Sequence, residues 1–266
     1  MTRLLDSVCV TRCLGDFSAR LWKPWEECSP ARMSGRVEMD LTAANRHECV
    51  VLWCATRRSE PAMDEEAARV LSHDELARAD RFLNETVRAQ WIFSRWLLRA
   101  ILGAYVRCAP RDLLFGVSPL GKPVLAGPPS DVDLRFNLSH SEEVTAIAVH
   151  AGHEVGVDVE STWRKLASPW QRIVDHLRDP DATEPLPVDD EESFWRLWTA
   201  REAVLKALGT GMRAIPGGVD WQATLHQREA SWIRLRTEGA LVILGRPPAA
   251  SSIRCAVAVL QNRPSG

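Results

Sequence analysis

The stretch LRFNLSHSEEVTAIAVHAGHEVGVDVE, residues 134–160, decides the fold. Apolar and polar residues alternate through LRFNL. VTAIAV is a short apolar run, and VGVDV carries β-branched residues at every second position. The pattern predicts strands over 134–138, 144–149 and 155–159, with polar turns between them. Both connections are short enough for antiparallel pairing.

The third of these strands carries the first chemistry. Asp158 and Glu160 are two residues apart, which puts both carboxylates on one face, while Val157 and Val159 face a core. Neighbouring carboxylates repel unless a cation or a proton neutralises them. Oxygen ligands of this kind suit a hard ion, Mg²⁺ or Mn²⁺. The plainer reading is a strand end reaching water, where acids are the default. His140, in NLSHS, either contacts a phosphate or caps its own turn.

Outward from this region the order of elements is similar on the two sides, without a residue-level repeat. Upstream, ECVVLWCAT (48–56) reads as a strand. Two helices follow, at about 73–83 and 85–104, the first capped by Ser72 with Glu75 three residues on. Short strands flank turns at 118–121 and Gly127. Downstream come a helix at about 169–177, an acidic, Pro-rich loop at 178–193 expected to be mobile, and the helix FWRLWTAREAVLKALGTGM (194–212). Ser193 is expected to cap that helix, and Gly209 and Gly211 to stop it. Strands at 232–236, 240–244 and 252–260 close the chain. Residues 1–46 show no periodicity and are expected to be an irregular extension, ahead of lobes at 47–153 and 154–266.

In the helix at 194–212, Glu202 and Lys206 stand one turn apart and share a face with Trp198. Alone they read as a surface i,i+4 ion pair worth about 0.2–0.5 kcal/mol.

The 266 residues are 45% hydrophobic and 26% charged, with a formal charge of -2. Basic excess is absent, so a nucleic-acid partner is not expected. No apolar run approaches the roughly 18 residues that cross a bilayer, and Asp6 and Arg12 interrupt any leader-like core, so the expectation is a cytoplasmic protein without a membrane partner. The 7 cysteines include no CxxC and suggest neither a disulfide framework nor a zinc site.

Four motifs occur in order: Gly121-Lys122-Pro123, Asn137-Leu138-Ser139-His140-Ser141, Gly156-Val157-Asp158-Val159-Glu160, and Trp198-x-x-Arg201-Glu202-Ala203-x-x-Lys206. Together they resemble the Sfp-type 4′-phosphopantetheinyl transferases over about residues 48–262. The resemblance implies an α+β fold, a pseudo-dimer of two similar α/β lobes with coenzyme A bound between them, so that a chain with both lobes could work as a monomer. It implies transfer of 4′-phosphopantetheine from coenzyme A to a serine of an apo acyl or peptidyl carrier protein, releasing 3′,5′-ADP, often in secondary metabolism. Asp158, Glu160 and Glu202 would hold Mg²⁺. His140 would contact a phosphate, Lys122, Pro123 and Ser139 would border the adenine, and Arg78 would approach the 3′-phosphate. Glu202, directly or through a metal-bound water, would take the serine proton, and Lys206 would stabilise phosphoryl charge.

The chain departs from the family pattern at three places. Arg201 stands where the family has lysine, Glu75 replaces a base in the first helix, and DHLRDPDATEP lacks an aromatic pair near the carrier site. Two other readings use the same residues: a Mg²⁺-dependent hydrolase of a nucleotide pyrophosphate, and a non-catalytic carrier-binding module.

Overall fold

The computed structural model describes residues 8–13, 26–28, 49–55, 61–127, 133–141, 144–163, 166, 168–177, 188–211, 219–227, 231–236, 241–246 and 252–261. Its elements are β1 (Val8–Cys13), β2 (Glu26–Cys28), β3 (Cys49–Ala55), α1 (Pro61–Val70), α2 (His73–Ala79), α3 (Glu85–Val106), β4 (Leu114–Val117) and β5 (Pro123–Gly127). Then follow β6 (Leu134–Ser141), β7 (Val144–Ala151), β8 (Val155–Ser161), α4 (Trp170–Leu177), α5 (Glu191–Leu208), α6 (Gln222–Leu225), β9 (Ser231–Arg236), β10 (Leu241–Arg246) and β11 (Ile253–Gln261).

The class is α+β. One sheet has the order β2-β1-β3-β7-β6, a second β8-β11-β10-β9, and β4 pairs with β5 as a separate hairpin. The two larger sheets share a connection rule. In each, an earlier strand (β3, β8) pairs antiparallel with the last (β7, β11), which pairs with the one before it (β6, β10). Two expectations need correction. Residues 1–46 are not wholly irregular, because β1 and β2 extend the first sheet from β3. And β8 does not pair with β7: it joins β11 from Val155↔Val259 to Ser161↔Ile253. Periodicity fixes which face a residue takes, not which strand lies beside it. Of the expected mobile loop at 178–193, residues 178–187 lie outside the described residues, and its last three, Glu191–Ser193, are instead the first turn of α5.

β7 explains how the sheets meet. Its Ile147 and Val149 pack under Phe93, Leu97, Leu98, Ile101 and Leu102 of α3. Ala146 and Ala148 face the other way, onto Val155, Val157 and Val159 of β8. Small residues on that face let the second sheet approach closely. On the far side of β8, Ala200, Ala203, Val204 and Ala207 of α5 pack with Ala256 and Ala258 of β11 and with Val242 and Leu244 of β10. β8 is thus buried on both faces. α4 closes the start of α5, its Trp170, Ile173 and Val174 meeting Phe194 and Trp195.

Local chemistry sets the helix ends. Ser72 and Glu75 form the expected capping box, each side chain accepting the other's backbone N–H (3.3 and 2.9 Å). α5 begins earlier than the sequence suggested. Its cap is Asp190, whose carboxylate accepts the Ser193 N–H at 2.7 Å, so Ser193 is inside the first turn. An acid at this position, followed by Glu191 and Glu192, suits the positive end of the helix. Gly209 ends it at φ 74, the left-handed conformation that glycine adopts without steric cost.

Glu75 does more than cap. Its Oε1 accepts Arg95 Nη2–H at 2.6 Å, and its Oε2 accepts Arg99 Nε–H at 2.7 Å. Arg99 is buried and also donates to the carbonyls of Pro110 and Leu113. The acid that departs from the family pattern is therefore the anchor joining α2 to α3. Burial alone would raise the Glu75 carboxyl; the Ser72 N–H and the two guanidinium groups hold it below the ordinary glutamate range. A lowered folded value means that Glu75 stabilises the fold above its unfolded pKa, about 4.3, and that this is lost as pH falls through the folded value. Glu75→Gln should cost roughly 3–5 kcal/mol in denaturant unfolding at neutral pH, the range for breaking a buried pair. The difference from the parent should shrink below pH 4 or thereabouts. A constant difference from neutral to acid pH would rule out the ionic role.

Candidate active site

The polar cluster is assembled where β6 runs alongside β8. β8 is the edge strand of its sheet, with N–H groups that no neighbouring strand takes up. Alternate residues of β6 supply the acceptors from side chains. Asn137 Oδ1 accepts the Val157 N–H at 2.9 Å, Ser139 Oγ the Val159 N–H at 3.4 Å, and Ser141 Oγ the Ser161 N–H at 3.1 Å. The pattern N-x-S-x-S is therefore a side-chain ladder with period 2. It also turns the two serine hydroxyls toward the acids of β8.

Ser139 Oγ–H donates to Asp158 Oδ1 at 2.9 Å, and Ser141 Oγ–H donates to Glu160 Oε2 at 2.7 Å. From α5, the Trp198 indole N–H donates to Glu160 Oε1 at 3.1 Å. Lys206 Nζ donates to Asp158 Oδ1 at 2.6 Å and to Ser139 Oγ at 3.0 Å. Asp158 and Glu160 are 3% and 5% exposed, so neither is a strand end in solvent. Gly156 makes this possible. A Cβ there would lie 2.1 Å from the Ala203 carbonyl oxygen and 2.3 Å from the Ala207 nitrogen, so α5 rests on bare backbone.

The expected ion pair between Glu202 and Lys206 does not form. Lys206 crosses to Asp158 instead, and among the described residues the Glu202 carboxylate has no hydrogen-bond or ion-pair partner. Burial raises the Glu202 carboxyl, Lys206 and Arg201 oppose, and Glu160 adds to the rise. Burial pushes Asp158 up to about 7 against the pull of Lys206, with Glu160 and Glu202 pushing further. Arg201 itself is buried.

Three carboxylates without enough positive charge invite a cation, and buried Asp158 Oδ2 has no hydrogen-bond partner among the described residues. An all-oxygen donor set with one orphaned oxygen fits a hard divalent ion. Among the described residues, no three His, Cys, Asp or Glu side chains already stand at metal-holding distance. Lys206 takes up one of the Asp158 oxygens.

The remaining expected residues lie around this cluster. His140, between the two ladder serines, faces the other side of β6 and has an exposed edge. Crowding around its ring and the Lys206 charge hold it below the usual imidazole range, against Glu160. Pro123 is exposed at the start of β5. Arg78 is exposed on α2, 5.9 Å over the Trp91 ring. Lys122 is half-buried at the far end of the β8–α5 contact. So Ser139, Asp158, Glu160, Glu202 and Lys206 come together, whereas Arg78, Lys122, Pro123 and His140 make no hydrogen bond to them. Three contributors were not read from the sequence as site residues: Asn137, Ser141 and Trp198. The signal for the first two was the alternation N-x-S-x-S opposite the alternation of GVDVE.

Comparison with known proteins gives the same outline. The model of the 4′-phosphopantetheinyl transferase superfamily matches residues 154–255, and a model of the N-terminal part of 4′-phosphopantetheinyl transferases matches residues 58–152. The chain is 33% identical to the 4′-phosphopantetheinyl transferase HetI of a Nostoc species, over 61% of this chain and 70% of the relative. It is 36% identical to the 4′-phosphopantetheinyl transferase AcpT of Escherichia coli, over 43% of this chain and 57% of that protein. It is 28% identical to the 4′-phosphopantetheinyl transferase gsp of Aneurinibacillus migulanus, over 50% of this chain and 53% of that protein. With its acids, lysine and serine ladder drawn to one seam between two sheets, the chain belongs to the 4′-phosphopantetheinyl transferase family, a family of transferases.

Proposed function

We propose that this chain transfers 4′-phosphopantetheine from coenzyme A to a serine hydroxyl of an apo acyl or peptidyl carrier protein, in a Mg²⁺-dependent reaction that releases 3′,5′-ADP. The observation that carries this is the convergence of Asp158, Glu160, Glu202 and Lys206 at one seam, in the order of the family's motifs. The lobes on either side are residues 47–153 and 154–266.

The carrier serine oxygen attacks the β-phosphorus of coenzyme A, and the bond to the leaving 3′,5′-ADP breaks. A serine hydroxyl is a weak nucleophile at neutral pH and needs a base within reach. Glu202 is that base. Its carboxylate is half-buried and, among the described residues, without a hydrogen-bond or ion-pair partner, and burial makes it a better proton acceptor than a solvated glutamate. Lys206 is placed to neutralise charge gathering on the phosphoryl oxygens. Asp158, Glu160 and Glu202 would hold Mg²⁺, which when bound supplies Lewis acidity toward the pyrophosphate. Ser139, Ser141 and Trp198 keep the first two carboxylates aimed at that position. Arg78 is assigned to the 3′-phosphate, His140 to a phosphate, and the turn ending at Pro123, with Ser139, to the adenine edge.

Among the described residues, no helix is long and apolar enough to cross a membrane. We place the protein in the cytoplasm, as a monomer, with carriers of secondary metabolism as its substrates. Incubation with coenzyme A, Mg²⁺ and a panel of apo carriers, followed by intact-mass measurement, should show a phosphopantetheine adduct on at least one carrier. Carriers left unmodified beside a working control enzyme would overturn the reading. Cleavage of coenzyme A without any carrier would instead mean hydrolysis.

A further inference from the structure

Lys122 belongs to the motif that, by resemblance, borders the coenzyme. Its surroundings describe a different task. The side chain is 9% exposed, and its ammonium donates to Glu154 Oε2 (2.5 Å), the Val155 carbonyl (2.9 Å) and the Ala207 carbonyl (3.3 Å). An ammonium has three N–H donors, and three acceptors take them all. None is left for a phosphate.

The three acceptors lie at one joint. Val155 opens β8, and Ala207 is in the last turn of α5, among the carbonyls that a helix end leaves without an intrahelical partner. A cation there also suits the negative end of the helix. The Lys122 stem passes Gly209, 3.7 Å from where a Cβ would stand. The turn that presents Lys122 is fixed by its own bonds, Ser118 Oγ accepting the Lys122 N–H and Gly121 taking φ 85. Glu154 is held from its other oxygen by Arg135 of β6 at 2.9 Å. One ammonium therefore ties the β4–β5 hairpin, the first residue of β8 and the end of α5 together. This joint is beside Gly156, where helix and strand touch. One residue back along α5 from the Ala207 carbonyl, Lys206 leaves the helix toward Asp158, which stands three residues on from Val155.

We propose that Lys122 is a positioning residue, which clamps the last turn of α5 to β8 so that Lys206 and Glu202 keep their register against Asp158 and Glu160. It acts on the reaction through that register and not by binding coenzyme A. The inference rests on the transferase reading and can be tested apart from it.

Lys122→Met keeps the stem and removes the three bonds. Glu154→Gln keeps the shape and weakens the clamp from the other side. Steady-state transfer with saturating carrier should show kcat falling roughly tenfold to a hundredfold in Lys122→Met, with KM for coenzyme A unchanged. Glu154→Gln should show a smaller loss of the same kind. Hydrogen exchange of the 204–208 amides, measured without coenzyme A, should quicken in both variants. A raised KM with unchanged kcat in Lys122→Met, and a normal Glu154→Gln, would make Lys122 a coenzyme ligand and overturn the proposal. Unchanged exchange would overturn it too. Should Lys122→Met fail to fold, Glu154→Gln alone decides by the same split. If the parent enzyme transfers nothing, the transferase reading falls, while the exchange experiment still decides whether the clamp exists.

Discussion

Gly156→Ala will separate α5 from β8 and take the transferase activity with it. The methyl group would meet the Ala203 oxygen at 2.1 Å, the Ala207 nitrogen at 2.3 Å and the Lys206 carbonyl carbon at 2.9 Å. All three are backbone atoms of one helix, so no side chain can swing aside. The helix must translate, and overpacking of this kind costs about 1–3 kcal/mol, sometimes more. The backbone at Gly156 is not in the left-handed region, so the loss will come from contact and not from torsional strain. Helix movement also lengthens the 2.6 Å bond from Lys206 to Asp158 and the 3.1 Å bond from Trp198 to Glu160. The expected result is a lower melting temperature together with a fall in kcat larger than the stability loss explains. A variant that melts and turns over like the parent would mean that α5 has room to slide.

Glu202→Gln should separate activity from stability. Transfer should fall roughly 10²–10⁴-fold, the usual contribution of a positioned base. The melting temperature should hold or rise. Glu202 is half-buried, feels the charge of Glu160 and has no hydrogen bond among the described residues, so its ionised form is disfavoured in the fold. A raised folded pKa removes stability as pH climbs above the unfolded value, and glutamine ends that penalty. Active sites often carry such a trade. Near-normal transfer would remove Glu202 from the chemistry, and a marked drop in melting temperature would show that it is a structural anchor.

Much of the site was legible because two spacings carry it. Asp158 and Glu160 two apart on a strand, and Trp198, Glu202 and Lys206 at helical spacing, must share faces whatever surrounds them. The motif order then joined the strand to the helix. What could not be read was partnership across the fold. A strand's sequence does not name its neighbour, so β8 was expected beside β7 and is found beside β11. Lys206 was expected, on its helix alone, to meet Glu202 one turn away, and it meets Asp158, 48 residues away on β8. Trp198 was read as sharing the face of Glu202 and Lys206, yet its indole N–H finds a carboxylate on β8, as a buried polar handle does. Lys122 contacts a carbonyl 85 residues further on, a closure no local pattern encodes. The caps at Ser72 and Gly209 were read correctly because they obey local rules. Asp190 was missed because the loop before α5 is so acidic that its cap does not stand out.

The serine ladder has a further consequence for how such a protein keeps out of trouble. An open strand edge is a template on which a second chain can grow a sheet. β8 is such an edge by backbone count, but Asn137, Ser139 and Ser141 take its donors without themselves forming a strand pair with it. The two sheets are therefore joined by exchangeable side chains and not by a continuous backbone ladder. The join guards against aggregation, and single substitutions can loosen or tighten it without unravelling either sheet.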